Sequence, residues 1–436
     1  MSLLDNRRYL SPVWPRYTDI LIERGEGVYL YDLDGRRYLD FTCGIGVTNT
    51  GHCHPRVVAA IREQAGLLLH GQANIVHHKP LLELVGALRE VVPAALNSFY
   101  FSNSGAEAIE GAVKLARHAT GRSDVIAFRG GFHGRTAGAM ALTTSKGRYR
   151  GGYAPLPSGV HIAPYAYCYR CPVAHAAGKA TDAISQAAPR EAGCCREPLR
   201  ELRDILYTET VPEDIAAIMV EPVQGEGGYI VPPTSFIHGL RQICDEYGIL
   251  LIADEVQTGF GRTGAFFAIE HFGVTPDILV IAKGLASGLP LSGIATRRDV
   301  MAKWRTGSHG GTYGGNAVAC AAAVATIRVI QEERLTENAA KLGKILIGEL
   351  AGLKQRHAAI GDVRGLGLMI GVELVQADGE PDGALAQHVL DGCRERGLLL
   401  LNCGTYDNVV RFIPPLIANE DQIRQAVRIF AQALAG

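Results

Sequence analysis

The sequence predicts an α/β fold with a large domain, whose mostly parallel sheet is flanked by helices, and a smaller α/β domain. Two observations predict it. From residue 98 onward short apolar runs alternate with helical patterns, and 436 residues are too many for one core. Continuous apolar runs are typical of strands buried on both faces, as in parallel sheets. Hydrophobic residues make up 47% of the chain and charged residues 20%, which excludes a disordered or fibrous protein.

Residues 1–50 are expected to form strands and turns that belong to the smaller domain. The stretch GVYLYDLDGRRYLDF alternates β-forming residues around Asp34 and Gly35, which is typical of a hairpin. A helix is then predicted from Pro55 to about His70, because proline is well tolerated in the first turn of a helix.

Residues 51–315 are predicted to form the large domain around five strands. These are FYFS (99–102), VIAF (125–128), IAAIMVEP (215–222), ILLIADE (249–255) and ILVIAK (278–283). In open α/β sheets ligands bind beyond the carboxyl ends of the strands. Ser104, Glu221, Asp254 and Lys283 lie at those ends, which predicts a binding site there.

The remaining segments are an insert and a C-terminal part. Residues from about 165 to 210 are rich in Ala and Cys and lack a clear period, so they are interpreted as an insert in the large domain. Residues 316–436 are predicted to complete the smaller domain. They contain a long Ala-rich helix, a turn at GDVRGLGLMIGVEL, a further helix and the strand-like NVVRFIPPL.

Charge and cysteine content limit the partners and the compartment. The formal net charge of −1 provides no basic field for nucleic acid or anionic lipid, which favours small-molecule partners. No apolar run reaches the roughly 18 residues of a membrane span, and the charged start does not resemble a signal peptide. Ten cysteines are too dilute for a disulfide scaffold, so a reduced, cytoplasmic chain is expected.

The stretch SNSGAEAIEGAVKLAR (102–117) predicts an anion site at the start of a helix. Ser104 is a candidate N-cap, and Glu107 completes a capping box. Gly105 and Ala106 leave the first backbone amides accessible, and such amides bind phosphate.

Three further segments place polar or aromatic groups around the same strand ends. FRGGFHGRT presents Phe132, His133 and Arg135, and Phe132 can stack on a flat ring. Asp254 ends a buried strand, where a carboxylate needs a cationic partner. Burial of Lys283 would give a neutral amine able to form a Schiff base. An imine-forming lysine, a carboxylate for a ring nitrogen, a stacking ring and a phosphate site are what pyridoxal 5'-phosphate requires.

The chain resembles the class III (ω-amino-acid) aminotransferases of the fold-type-I pyridoxal-phosphate enzymes over nearly its whole length. The 29 positions from Asp254 to Lys283 match this family too. The motifs that carry the resemblance are DGRRYLDFTCGIGVTNTGHCHP, SGAEAIEGAVKLAR, FHGRT, EPVQGEGGY, ADEVQTGFGRTG, AKGLASGLPLSG, GGTYGGN and GDVRGLGLMIGVEL.

The resemblance implies roles for residues around the cofactor. Gly105 and Ala106 would bind its phosphate, with Thr312 donated by the neighbouring subunit of a homodimer or of a dimer of dimers. Gln257 would bond the phenolic oxygen, and Glu221 would steady the site.

The resemblance also implies a reaction, in which the amino group of 4-aminobutyrate moves to 2-oxoglutarate and yields succinate semialdehyde and glutamate. Ile45 and Arg135 would receive the carboxylate of the amino donor. Arg411 would bind the α-carboxylate of 2-oxoglutarate, and Glu226 would neutralise Arg411 when a substrate lacks that group. Lys283 would form the Schiff base.

Several alternatives stay open. Cys168 and Cys171, with Cys194 and Cys195, could bind zinc, form a disulfide or simply pack, although no metal site is expected. The stretch CYRCP also resembles amino-acid racemases and 2-epimerases with the same cofactor. Ornithine, acetylornithine or diamine aminotransferases differ from the favoured enzyme by a few substrate atoms, and a non-catalytic cofactor-binding protein is the remaining interpretation.

Overall fold

The structure is a computed structural model that describes residues 3–171 and 196–436. The strands of this part, in chain order, are β1 (Ile22–Glu26), β2 (Tyr29–Asp32), β3 (Arg37–Asp40), β4 (Ser98–Ser102), β5 (Asp124–Phe128), β6 (Val160–Ala163), β7 (Ile215–Val220), β8 (Leu250–Asp254), β9 (Ile278–Ile281), β10 (Ser292–Thr296), β11 (Ile360–Leu366), β12 (Met369–Leu374), β13 (Leu398–Leu399), β14 (Leu401–Cys403) and β15 (Val409–Phe412).

The helices are numbered in the same way. They are α1 (Cys43–Gly46), α2 (Pro55–Leu67), α3 (Lys79–Val91), α4 (Gly105–Thr120), α5 (Ala137–Leu142), α6 (Glu197–Thr208), α7 (Thr234–Tyr247), α8 (Arg298–Met301), α9 (Ala317–Glu332), α10 (Leu335–Lys354), α11 (Gly383–Glu395) and α12 (Glu420–Leu434).

The central sheet has seven strands in the described part, in the order β4-β10-β9-β8-β7-β5-β6. Strands β5 to β9 pair in parallel, whereas β10 runs antiparallel to both β9 and β4. The five predicted strands are confirmed as β4, β5, β7, β8 and β9. The sequence did not predict β6 or β10, because VHIA and SGIAT are short and lack a continuous run of large apolar residues.

Two hydrophobic cores cover opposite faces of this sheet. Ile218 and Leu251 face one core, whereas their chain neighbours Met219 and Ile252 face the other. Because consecutive side chains of a strand point to opposite faces, both sets must be apolar. Because both faces of the sheet are buried, the sequences of these strands are continuous apolar runs and do not alternate between apolar and polar residues.

The parallel register brings the carboxyl ends of the middle strands to one edge. Val220 of β7 pairs with Ala253 of β8, and Asp254 of β8 pairs with Val280 of β9. Glu221 therefore follows β7 directly beside the end of β8, and Lys283 follows β9 by two residues. The sheet thus gathers three of the predicted polar groups.

The smaller α/β part draws on both ends of the chain, as predicted. Strand β13 pairs in parallel with β3, so residues 398–399 extend the N-terminal sheet β1-β2-β3. The predicted hairpin is confirmed, with β2 antiparallel to β3. A second sheet, β11-β12-β15-β14, is antiparallel throughout and carries Arg411 on β15. The exact domain boundaries stay a prediction.

The stretch GDVRGLGLMIGVEL was predicted as a turn but forms two paired strands, β11 and β12, joined by a tight turn. Gly367 in that turn has a φ of +54°, and a Cβ there would lie 2.4 Å from the carbonyl carbon of Thr263. Only glycine allows the turn to approach that backbone. The glycines of this stretch are uncommon in strands and interrupt its apolar residues, so the sequence did not indicate two strands.

The predicted insert is only partly described. Residues 172–195, including Cys194 and Cys195, lie outside the described residues. The interpretation that the insert lacks a period is wrong for its end, since α6 buries Leu202, Ile205 and Leu206 on one helical face. Within the described residues, no helix is both long and apolar enough to cross a membrane.

Candidate active site

A cavity of about 350 Å³ lies at the carboxyl ends of β7, β8 and β9, against the start of α4. Val47, Leu289 and Leu291 contribute apolar side chains to its wall. The predicted residues that line it are Ser104, Gly105, Ala106, Phe132, His133, Glu221, Glu226, Asp254, Gln257 and Lys283.

Lys283 is the amine of the cavity. It begins a 3-10 turn immediately after β9 with a φ of +41°, a conformation that is costly for a residue with a side chain and is typical of functional sites. Burial lowers the pKa of Lys283 to about 8, because the low-dielectric surroundings disfavour the ammonium. The charge of Arg411 acts in the same direction, whereas Glu226 opposes it. A substantial fraction of this amine is therefore neutral and nucleophilic near pH 8.

Asp254 is held in one orientation by two hydrogen bonds. The ring Nδ1 of His133 lies 2.7 Å from Asp254 Oδ2, and the backbone N–H of Val256 donates to Oδ1 over 3.0 Å. Burial by itself lowers the pKa of His133, but the hydrogen bond and charge of Asp254 and the charge of Glu221 raise it overall. His133 thus acts as a partner of Asp254 at the cavity wall.

Glu221 joins two loops beneath the cavity. Its carboxylate accepts the N–H of Phe132 over 2.9 Å and that of Gly225 over 2.8 Å. Burial raises the pKa of Glu221, and the negative charge of Asp254 adds to the shift, against the opposing effect of His133. The two backbone bonds position both the aromatic turn and the loop that leads to Glu226.

The N-terminus of α4 has the features from which the sequence predicted an anion site, and anion binding there stays a prediction. The N–H of Glu107 donates to Ser104 Oγ over 3.3 Å, and Glu107 Oε2 accepts the N–H of Ser104 over 2.9 Å, which confirms the capping box. Within the described chain no acceptor meets the amides of Gly105 and Ala106. A Cβ on Gly105 would lie 3.0 Å from Val256, so the site requires a small residue.

Gln257 provides a polar group without a protein partner. Its side-chain Oε1 is buried and, within the described chain, accepts no hydrogen bond. Such an atom is costly unless a ligand or water satisfies it. Together with the accessible α4 amides, the Lys283 amine, the Asp254 carboxylate and the aromatic Phe132, this orphaned group fits pyridoxal phosphate.

Arg411 and Glu226 form an ion pair at the cavity. Arg411 Nη1 donates to Glu226 Oε1 over 2.5 Å, and the Arg411 side chain is 5% exposed. Burial raises the pKa of Glu226, but the charge and hydrogen bond of Arg411 outweigh it, so that this pKa is lowered overall. The guanidinium is thus neutralised by the protein itself.

Four predicted residues are not among those that line the cavity of one chain. Arg411 is connected to the cavity through its ion pair with Glu226, and the other three are exposed. Ile45 is 40% exposed, and Val47 lines the cavity instead. Arg135 is exposed, with its guanidinium 4.3 Å from the centre of the Tyr149 ring. Thr312 lies on an exposed loop. Exposure of these three side chains depends on the packing of loops, which local sequence does not reveal.

Some residues near the site were not singled out in the sequence. Tyr149 stands edge-on to Phe132, with ring centres 5.5 Å apart. Lys146 is buried and bonds to Asp407. The available signal was three basic or aromatic residues, Lys146, Arg148 and Tyr149, in the short stretch TTSKGRY. A lysine among small polar residues becomes conspicuous only once its burial is known.

Metal binding receives no support from the described residues. In residues 3–171 and 196–436, no group of three or more His, Cys, Asp or Glu side chains is placed to hold a metal ion. Cys168 and Cys171 lie in and directly after a short 3-10 turn before the segment that is not described.

The fold and the site together define a pyridoxal-phosphate-dependent transferase, with the lysine at the end of a mostly parallel sheet. The family model "Aminotransferase class-III" matches residues 11–434, and the chain belongs to this family, whose cofactor is pyridoxal phosphate.

Comparisons with individual proteins agree with this family assignment. The chain is 42% identical over 417 residues to the 4-aminobutyrate aminotransferase of Escherichia coli, covering 95% of this chain and 93% of that protein. It is 41% identical over 418 residues to the 5-aminovalerate aminotransferase of Pseudomonas aeruginosa, with the same coverage. A PLP-bound amine transaminase structure from an uncultivated Pseudomonas species matches with a TM-score of 0.88, at 32% identity and over 98% of both chains.

The lowered pKa of Lys283 predicts how the apoenzyme captures pyridoxal phosphate. The neutral amine is the reactive form, so the capture rate should rise about tenfold per pH unit below pH 8 and level off above it. Stopped-flow absorbance from pH 6.5 to 10 measures this rate. Lys283→Ala should retain the fold without the capture reaction. A rate that continues to rise up to pH 10 would contradict the assignment.

Proposed function

We propose that this aminotransferase moves the amino group of an ω-amino acid, with 4-aminobutyrate as the first candidate, to 2-oxoglutarate. The products are succinate semialdehyde and glutamate. The Glu226–Arg411 ion pair carries the proposal, because it neutralises a buried guanidinium until a substrate brings its own α-carboxylate. The relatives named for 4-aminobutyrate and 5-aminovalerate support a donor of this class.

Different residues of the cavity have different roles in the reaction of the cofactor. Bound pyridoxal phosphate supplies an aldehyde that takes up the amino group and a ring that withdraws electrons from the substrate carbon. Lys283 Nζ would take the proton from that substrate carbon and deliver it to the aldehyde carbon of the cofactor, for which a pKa of about 8 is suitable. Asp254, oriented by His133, would keep the ring nitrogen protonated.

The remaining polar groups hold the cofactor in place. The amides of Gly105 and Ala106, at the positive end of α4, would bind the phosphate. Phe132, at the cavity wall, would stack on the ring, and the side-chain amide of Gln257 would bond the phenolic oxygen. Glu221 fixes the turn that carries Phe132 through the bond to its N–H.

Two substrates of different charge then use one site. A donor without an α-carboxylate leaves Glu226 on Arg411, so no buried charge is unpaired. 2-Oxoglutarate places its α-carboxylate on Arg411 and displaces Glu226. Arg135, together with Ile45, would receive the carboxylate of the donor. Its guanidinium lies 6.0 Å from the ring centre of Phe132, which lines the cavity, and 4.3 Å from that of Tyr149.

A second copy of the chain would complete the site. The surface formed by residues 67–76 and 310–316 is joined by a bond from Asn316 Nδ2 to the Leu69 carbonyl, 2.9 Å long. It exposes large apolar side chains, as interaction surfaces do, at Leu67 (74%), Leu69 (64%), Ile75 (80%) and Tyr313 (63%). Thr312 lies in this surface, outside the cavity of its own chain, and would contribute to the phosphate site of the partner subunit. A homodimer, or a dimer of such dimers, satisfies both features.

Cysteine chemistry supports a cytoplasmic location. A reducing compartment keeps thiols unpaired, as they are in much of this chain. In the described part, free thiols are found at Cys43, Cys53, Cys244, Cys320, Cys393 and Cys403.

The donor is tested with the purified holoenzyme and no keto acid. Addition of 4-aminobutyrate should shift the absorbance of the bound cofactor to that of its amine form, and 2-oxoglutarate should reverse the shift. 5-Aminovalerate, β-alanine, ornithine and N-acetylornithine rank the alternatives in the same assay. A holoenzyme that is inert to every ω-amino acid, yet removes the optical activity of an α-amino acid without keto acid, would be a racemase instead.

Removal of Arg411 should separate the two half-reactions. Arg411→Ala leaves the α-carboxylate without its partner, so kcat/KM for 2-oxoglutarate should fall about 100-fold or more. The value for 4-aminobutyrate should fall much less, because that substrate does not bind the guanidinium. Single-turnover absorbance measures both, and Arg411→Lys is the charge-conserving control. Equal losses in the two halves would refute the proposed role of the Glu226–Arg411 pair.

A charge in the exposed apolar surface should prevent dimer formation. Ile75→Glu places a carboxylate where the proposed interface excludes water, so analytical ultracentrifugation should show monomers with weakened cofactor retention. Val211→Glu, at another exposed apolar position, is the matched control and should stay dimeric. A dimer that is unaffected by Ile75→Glu would place the interface elsewhere.

A further inference from the structure

A second group of charges lies beside the Glu226–Arg411 pair. Lys146 is only 5% exposed, and its Nζ donates to Asp407 Oδ1. Arg148 binds both oxygens of the same carboxylate, with Nη1 2.8 Å from Oδ2 and Nη2 3.0 Å from Oδ1. Asp407 therefore has two cationic partners, and either one can hold it if the other turns away.

One short turn connects this group to Glu226. The N–H of Asp407 donates to the carbonyl of Gly404 over 3.1 Å, and the N–H of Gly404 donates to the carbonyl of Glu226 over 2.9 Å. The backbone of Glu226 and the carboxylate of Asp407 are thus fixed at two ends of the same turn. Lys146 also lies within electrostatic range of Glu226. Burial raises the pKa of Glu226, and the charge and hydrogen bond of Arg411, then the charge of Lys283 and then that of Lys146, lower it overall.

Lys146 itself is fixed to the wall of the active site. The N–H groups of Thr144 and Ser145 both donate to the carbonyl of Gly131, over 2.8 and 3.0 Å. Gly131 directly precedes Phe132, so the backbone of Lys146 moves only with the turn that carries this ring. Only the flexible side chain of Lys146 remains able to change partner.

The charges of this cluster balance only when a substrate carboxylate is present. Arg411, Lys146 and Arg148 are three cations, whereas Glu226 and Asp407 are two carboxylates. Without an α-carboxylate, Glu226 neutralises Arg411, and Asp407 is shared between the other two cations. An added α-carboxylate gives every cation one carboxylate partner.

We propose that Lys146 receives the carboxylate of Glu226 when the α-carboxylate of 2-oxoglutarate or glutamate displaces it from Arg411, while Arg148 retains Asp407. The inference rests on the proposed function, in which Glu226 leaves Arg411 in one half-reaction. A displaced Glu226 without a cation would be a buried unpaired charge, which is strongly destabilising. Lys146 is thus a positioning residue that selects for substrates with an α-carboxylate.

The first test measures binding without turnover. 2-Oxoglutarate is titrated by calorimetry into the holoenzyme in its aldehyde form, where keto acid and cofactor do not react. Lys146→Met should weaken binding about tenfold or more, because Glu226 loses its second partner. Lys146→Arg should restore binding, and Lys344→Met, which removes an exposed lysine, is the matched control. Unchanged affinity in Lys146→Met overturns the proposal.

A second variant, for which the proposal predicts no loss of 2-oxoglutarate affinity, separates this role of Lys146 from a purely structural one. Asp407→Asn frees Lys146 from its present partner, so 2-oxoglutarate should bind at least as tightly as to the unmodified protein. If the variants acted only by disrupting the cluster of charges, 2-oxoglutarate would bind more weakly to both Lys146→Met and Asp407→Asn. Weaker binding in Asp407→Asn, with unchanged thermal stability and cofactor content, therefore counts against the proposal.

The decisive comparison uses Glu226→Gln. This background has no carboxylate to relocate, so addition of Lys146→Met should cause no further loss of 2-oxoglutarate affinity. An equal loss in both backgrounds means that Lys146 attracts the substrate directly and overturns the inference. If 4-aminobutyrate proves not to be a donor, the proposed function fails, but the 2-oxoglutarate titration and the glutamate half-reaction still decide the role of Lys146.

Discussion

Burial of charge at one end of the central sheet is the constraint on which the rest of the structure depends. Parallel pairing of β7, β8 and β9 brings Glu221, Asp254 and Lys283 to one edge, where water is largely excluded. Each charge there needs a partner or a shifted pKa. Asp254 has His133, Glu221 has two backbone amides, and Lys283 has a pKa lowered towards neutrality.

The same constraint organises the segments around the cavity. Arg262 is fully buried, and its guanidinium donates to the carbonyls of Leu368 and Pro414 and to Asn49 Oδ1. It thereby joins the loop beside Val47, the β11–β12 turn and the segment that follows Arg411. A single buried cation thus holds in register three parts of the chain that are far apart in sequence.

The cavity combines rigid and exchangeable partners. The cofactor side is built from backbone amides at the start of α4 and from side chains at or directly after strand ends of the central sheet, whose strands are fixed between both hydrophobic cores. The substrate side uses Glu226, Arg411 and Lys146, whose long side chains can change partners. This division suits one fixed cofactor that serves substrates of unequal charge.

The sequence by itself determined the strands β4, β5, β7, β8 and β9, the capping box at Ser104 and the position of Lys283. These depend on local patterns, namely apolar runs and the spacing of capping residues, which act within a few residues. Only the tertiary structure decided that Ile45, Arg135 and Thr312 are exposed and do not line the cavity of their own chain. It also decided the partners of the charges, since Glu226 pairs with Arg411 across 185 positions and Lys146 with Asp407 across 261. Such pairs are set by how loops from distant parts of the chain pack around the sheet, and no local pattern encodes that packing.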